Sequence, residues 1–167
     1  MSAVSLRAAQ VSDAEAIAVI YNYEVETSTA TFDLVPRSIE AQREWITTRS
    51  GAFSALVAED SAAGVIGFAA LSTYRDRAGY RTTVENSVYV HRDHQRRGFG
   101  KLLLSALLDV ARDSGSHPVI ARIDSQSSGS LALHESLGFV VVGVERQIGR
   151  KFGRWLDSVI MQKMLAD

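Results

Sequence analysis

Apolar and polar positions alternate from Val4 to Ala9, which predicts a first strand, and then change to helical spacing at Ile17, Ile20 and Tyr21. Ser12-Asp-Ala-Glu15, between the two, has the spacing of a capping box and predicts the helix start. From Glu24 to Asp33 no apolar period survives, and a functional loop is expected there. Pro36 and Ser38 introduce a second helix, about Ile39 to Arg49, anchored by Trp45 and Ile46. Two strands, Phe53–Glu59 and Val65–Tyr74, flank Asp60-Ser-Ala-Ala-Gly64, a hairpin turn by composition. Arg75 to Thr82 is polar and irregular. A strand over Glu85–His91 follows, then a glycine turn and a helix to about Ser114, with Gly115 as its C-cap. Pro118–Asp124 reads as a strand and Ser127–Leu137 as a helix ending at Gly138. Phe139–Glu145 and Asp157–Leu165 read as the last strands. The order β-α-α-β-β-β-α-β-α-β-β predicts a mixed α/β sheet covered by helices, in one domain spanning residues 1–167.

Composition narrows the function classes. Hydrophobic residues make up 46% and charged ones 22%, ordinary for a globular protein with its own core. The formal net charge is −1, so no global field recruits nucleic acid or an anionic membrane, and attraction for an anion has to be local. The absence of cysteine excludes a disulfide framework, thiolate metal sites and a cysteine nucleophile. The N-terminal MSAVSLRAAQ has no apolar run before a cleavage site, and no segment is long and apolar enough to span a bilayer. A cytoplasmic protein is expected.

The densest chemical signal is His94-Gln-Arg-Arg-Gly-Phe-Gly-Lys101, which joins a predicted strand to a predicted helix. A Walker A loop would need glycine at position 95 and Ser or Thr at 102; glutamine and leucine stand there. A dinucleotide fingerprint would need a third glycine at 103, which is leucine. What remains is Gln95-x-x-Gly98-x-Gly100. Glycines bring backbone close to a ligand, and the free N–H groups of the first helical turn then face an anion. Arg96, Arg97 and Lys101 are placed to add charge-assisted bonds. By itself the turn serves equally as a tight corner with solvated cations.

The surroundings of that turn carry a resemblance. Gln/Arg-x-x-Gly-x-Gly/Ala between strand and helix resembles the acetyl-CoA pyrophosphate loop of the GNAT superfamily of acyl-CoA N-acyltransferases. Ser127-Ser-Gly-Ser-Leu-Ala-Leu-His-Glu-Ser-Leu-Gly-Phe139 resembles its Asn-x-x-Ala-x-x-Leu-Tyr-x-x-x-Gly-Phe helix, with Ser127 in place of asparagine and His134 in place of tyrosine. Within the superfamily the chain is similar to the phosphinothricin / methionine sulfoximine N-acetyltransferase group. Four segments carry that likeness in order: Tyr21–Phe32, Thr83–Val90, Leu133–Phe139 and Gly149–Asp157. Arg150 stands where the group has an aromatic residue.

The resemblance implies the GNAT fold, a mixed, mostly antiparallel sheet flanked by helices with splayed central strands. It implies acetyl-CoA as co-substrate, no metal, a small amino-acid-like acceptor and a homodimer. It places acetyl-CoA on Val88, Tyr89, Val90, Arg96, Arg97, Gly98, Phe99, Gly100, Lys101 and Ser127. An α-amino group has a pKa of about 8 in peptides and is mostly protonated at neutral pH, so a base must take its proton; the resemblance puts that base at Glu85, acting through water. Its substrate positions fall on Arg75, Asp76 and Arg77 and on Glu85, Asn86 and Ser87; Tyr80 and Phe32 are expected to complete the acceptor pocket. His134, which has no metal-ligand spacing with His91, His94 or His117, is expected to orient substrate or help protonate the departing thiolate. The expected reaction is acetyl transfer to the α-amino group by direct attack in a ternary complex. Two alternatives remain: another amine as acceptor (an amino acid or a peptide N-terminus), or an acyl-CoA-binding module without turnover.

Overall fold

Leu103, Leu104 and Leu107 recur at helical spacing and are wholly buried, and the layer they pack on is the centre of a seven-stranded sheet. In the computed structural model, which describes residues 3–165, the strands are β1 (Val4–Ala8), β2 (Leu56–Asp60), β3 (Gly64–Thr73), β4 (Val84–Val90), β5 (Pro118–Asp124), β6 (Val140–Lys151) and β7 (Arg154–Met164). They lie in the order β1-β2-β3-β4-β5-β7-β6. Every neighbouring pair is antiparallel except β4–β5, which is parallel.

Alternation along β4 assigns the two faces. Val84, Val88 and Val90 belong to the core formed with α3 (Phe99–Asp113) and with Leu131 and Leu133 of α4 (Ser128–Ser136). Tyr89 points the other way, toward Tyr21 of α1 (Ala14–Thr27), in a second cluster with Ile46 of α2 (Ile39–Thr47) and with Val57 and Phe68. Period two in a strand requires this split. The α1 cluster reaches from β2 to β4 and stops there. Farther along, the same face of β5, β7 and β6 carries the polar Arg122, Asp124, Ser158 and Glu145 beside Ile120 and Ile160.

Several boundaries differ from expectation for physical reasons. Helix α1 continues to Thr27, because Glu24 and Val25 prolong its buried face and Thr27 Oγ1 donates to Tyr23 O at 2.6 Å. The expected loop therefore starts at Ser28. At the other end, the Asp13 carboxylate, not Ser12 or Glu15, accepts the Gln10 N–H at 2.7 Å and is gripped by Arg7 at 2.8 Å. Gly51–Phe53 forms a 3-10 turn, so β2 begins at Leu56. The last two strands extend into one long hairpin, closed at Phe152 and Gly153, both at positive φ (51° and 74°). Such a two-residue turn matches the right-handed twist of its strands.

Candidate active site

Parallel pairing between β4 and β5 covers only Val84↔Val119 and Glu85↔Ile120. Beyond Glu85 the strands splay, and a cavity of about 320 Å³ opens between them. The β5-facing backbone groups of β4 past Glu85 are thus left without a strand partner. Val90 O is an exception, since Gln95 Nε2 donates to it at 3.1 Å. Val88 and Tyr89 line the cavity, with Val90 just beyond it. Unpaired strand edge in a cleft is a ready partner for an extended amide-bearing ligand.

On the α1 side of this gap, Glu85 and Ser87 stand on one face of β4 and line the cavity. Arg122 of β5 faces Glu85, with Nε 3.6 Å from Oε2. Its Nη1 donates to Glu145 Oε1 of β6 at 2.7 Å. Burial pushes the Glu85 pKa up; Arg122 opposes that shift and Glu145 adds to it. A carboxylate so placed takes a proton more readily than one in water.

On the opposite side, Asn86 is buried and its side chain bridges the strands. Nδ2 donates to Ile120 O at 3.3 Å, and Oδ1 lies 3.0 Å from His134 Nε2. His134 Nδ1 lies 2.8 Å from Ser130 O, and the ring meets Phe139 edge-on at 5.0 Å. Both atoms facing the imidazole are carbonyl oxygens, so both contacts are filled only when the ring carries two protons. Burial works against that charge and lowers the His134 pKa, with the Ser130 contact opposing.

The loop after α1 closes the α1 side of the cavity with Thr29, Ala30, Thr31 and Phe32. It is tied down at several points. Thr29 donates to the buried Asp124 carboxylate, and Tyr21 bonds to Thr31 and Asp33. Lys151, itself buried, donates to Thr31 O at 2.8 Å and to Glu24 O at 3.4 Å. The Phe32 ring packs against Gly149, where a Cβ would stand 2.6 Å from it. Glycine at 149 is what admits the ring.

At the strand-to-helix corner, Gly98 caps α3 in the left-handed conformation (φ 88°), which a side chain would strain. Gly100 packs closely: a Cβ there would stand 3.3 Å from the Leu133 side chain of α4. The first-turn N–H groups, with Phe99, open outward between the exposed Arg96, Arg97 and Lys101. Ser127 sits at the start of α4, and its hydroxyl makes no cap bond. Corner, strand edge and cavity form one path of the kind a nucleotide-pantetheine thioester requires, diphosphate first and acyl group last.

The remaining expected positions lie elsewhere. Arg75, Asp76, Arg77 and Tyr80 are in the exposed connection from β3 to β4. There Arg75 stacks over Tyr74 and Tyr80, 4.9 and 5.7 Å from the ring centres, and none of the four lines the cavity. Sequence reasoning had not singled out Arg122, Asp124, Glu145 or Lys151. A signal was present for Arg122: in Val119-Ile-Ala-Arg-Ile123 a cation interrupts a strand whose other face is fully apolar. Among the described residues no group of three or more His, Cys, Asp or Glu is arranged to hold a metal ion, and no helix is long and apolar enough to cross a membrane.

Residues 6–160 match the family model of the acetyltransferase (GNAT) domain. The chain is 45% identical over 163 residues to an L-amino acid N-acyltransferase of Escherichia coli (strain K12), covering 97% of this chain and 94% of the relative. It is 42% identical to an L-methionine sulfoximine/L-methionine sulfone acetyltransferase of Pseudomonas aeruginosa, covering 95% and 92%. A GNAT superfamily phosphinothricin acetyltransferase from Sinorhizobium meliloti, solved in complex with acetyl-CoA, superposes with a TM-score of 0.92 at 36% identity, covering 99% of this chain and 89% of that one.

Proposed function

The chain belongs to the GNAT acetyltransferase family and is an acetyl-CoA-dependent N-acetyltransferase; from that premise we propose that its acceptor is the α-amino group of a small amino acid, with methionine sulfoximine, methionine sulfone and phosphinothricin as candidates. The carrying observation is the cavity in the splay, open to a thioester on one side and lined with ionic side chains on the other. Its volume of about 320 Å³ suits an amino acid. A homodimer in the cytoplasm is part of the proposal. The exposed apolar side chains of β6 and β7 support the dimer, and the need for acetyl-CoA supports the compartment.

In this reading the diphosphate lies at the Gly98–Lys101 corner between Arg96 and Arg97, and the pantetheine arm runs along Val88–Val90 past Ser127. The acceptor ammonium, protonated at neutral pH, gives a proton to Glu85 through water. The freed amine attacks the thioester carbon, and a β4 amide N–H near Val88 or Tyr89 stabilises the developing oxyanion. The C–S bond then breaks, the attacking nitrogen gives up its second proton to solvent, and the departing thiolate takes a proton from the His134 side, His134 regaining it from solvent. Direct attack is consistent with a chain that has no cysteine to carry the acetyl group.

The test is CoA release over a panel of L-amino acids and analogues. Methionine sulfone, methionine sulfoximine or phosphinothricin is expected to stimulate release well above buffer. If none does while other L-amino acids do, the broader specificity named for the Escherichia coli relative replaces the narrow one. If no amine is acetylated, the chain binds acyl-CoA without turnover. Glu85→Gln is expected to keep acetyl-CoA affinity and lose about 10²–10⁴-fold in rate; an unchanged rate removes Glu85 from the reaction.

A further inference from the structure

The acceptor side of the cavity holds three carboxylates (Glu85, Asp124 and Glu145) and one cation, Arg122. We propose that Arg122 is the residue that selects a free α-carboxylate on the acceptor, binding it while Glu145 holds the guanidinium in place. The proposal deepens the amino-acid acceptor reading and rests on it.

Four observations converge. Arg122 projects from β5 on the same face as Asp124, since Ala121 and Ile123 belong to the core beneath. It therefore points into the acceptor side of the gap, across from Glu85, the proposed base. Glu145 takes its Nη1 at 2.7 Å, which fixes the plane of the fork. Nε lies 3.6 Å from Glu85, an ion pair without a hydrogen bond, and Nη2 has no hydrogen-bond partner among the described residues. Guanidinium donors held in one plane with an edge free match the two oxygens of a carboxylate.

The charges also sort a zwitterion by its ends. An α-ammonium is drawn toward Glu85 and repelled by Arg122, while an α-carboxylate is drawn to Arg122 and kept from Glu85. In an α-amino acid both groups sit on one carbon, and here both complements sit within one ion-pair distance. Binding the carboxylate at Arg122 thus brings the amine to the base. Arg75 and Arg77, outside the cavity, are not placed for this task. The specificity predicted is for amino acids with a free carboxylate over amines and carboxamides of the same side chain.

The measurement compares L-methionine sulfone with L-methionine sulfone carboxamide as acceptors, read by CoA release, in the wild-type protein, Arg122→Met and Arg122→Lys. Calorimetric titration with acetyl-CoA reports that each variant is folded. In the wild type, kcat/KM should favour the acid by about tenfold or more, the size of a charge-assisted bond. Arg122→Met should bring the acid-over-carboxamide ratio of kcat/KM down to about unity, a ratio in which any effect on Glu85 common to both acceptors cancels, while Arg122→Lys restores part of the preference. A wild-type protein that uses the carboxamide as well as the acid overturns carboxylate selection and leaves the acetyltransferase reading intact. Equal KM increases for both acceptors in Arg122→Met overturn it too, as does loss of acetyl-CoA binding in both Arg122 variants, which makes the residue structural. If the wild type acetylates neither compound nor any other amine, the acceptor reading fails first and this inference falls with it.

Discussion

Glu85 illustrates how three side chains from three strands set the chemistry of one. Burial raises its pKa above the ordinary 4.5, Arg122 pulls it back, and Glu145 pushes it up again while occupying Arg122. For a base the working form is the carboxylate, so kcat/KM falls as pH drops through the Glu85 pKa, and the raised value moves that acid limb toward neutrality. Glu145→Gln removes one negative neighbour and frees Arg122 to approach Glu85. Both changes favour the ionised carboxylate, and the acid limb is expected to move to lower pH. A pH profile of kcat/KM in the two proteins checks this; a limb that stays put or moves up contradicts the assignment. His134 differs in kind. Its two acceptors, Ser130 O and Asn86 Oδ1, ask for a second proton that burial discourages, which is a fitting balance for a group that passes a proton on.

The β6–β7 hairpin is the element whose importance was hardest to foresee. Charged Glu145 and Arg146 and polar Gln147 interrupt the apolar pattern, so the sequence predicts a strand ending at Glu145. Pairing instead resumes after a bulge at Gly149↔Leu156 and continues to Lys151↔Arg154. The extension carries Gly149 to Phe32 and Lys151 to Thr31, contacts more than a hundred residues apart in sequence that no local pattern contains. The glycine corner, by contrast, was legible, because a positive φ at Gly98 demands glycine whatever lies elsewhere and the approach at Gly100 leaves room only for a small residue. Pairing of Arg122 with Glu145, or Asn86 with His134, needs the sheet order, and sheet order is not written locally. The hairpin also leaves Val140, Val142, Val144, Ile148 and Trp155 exposed, more apolar surface along one element than a lone subunit ordinarily shows. If this is the face of the proposed homodimer, sedimentation should give a mass near twice 18.2 kDa, and Val142→Asp with Trp155→Asp should return it to one subunit. A wild-type protein that sediments as a monomer at micromolar concentration contradicts the dimer.

At the scale of the whole molecule, function follows from uneven coverage of one sheet. Helices α3 and α4 supply the corner and the histidine on one face, whereas the α1–α2 cluster stops at β4 on the other. The splay between β4 and β5 connects the faces, and in the proposed reaction a thioester entering from one meets an amine arriving from the other. With a net charge of only −1, positive charge for the proposed diphosphate site has to be local, and Arg96, Arg97 and Lys101 are gathered at that corner. The proposed direct attack requires both substrates to be present together. The most direct test is an initial-rate matrix of CoA release across acetyl-CoA and methionine sulfone concentrations. Intersecting lines, with saturation in both substrates and no release without the acceptor, are predicted. Parallel lines, or release that ignores the acceptor, would contradict acetyl transfer across the splayed strands.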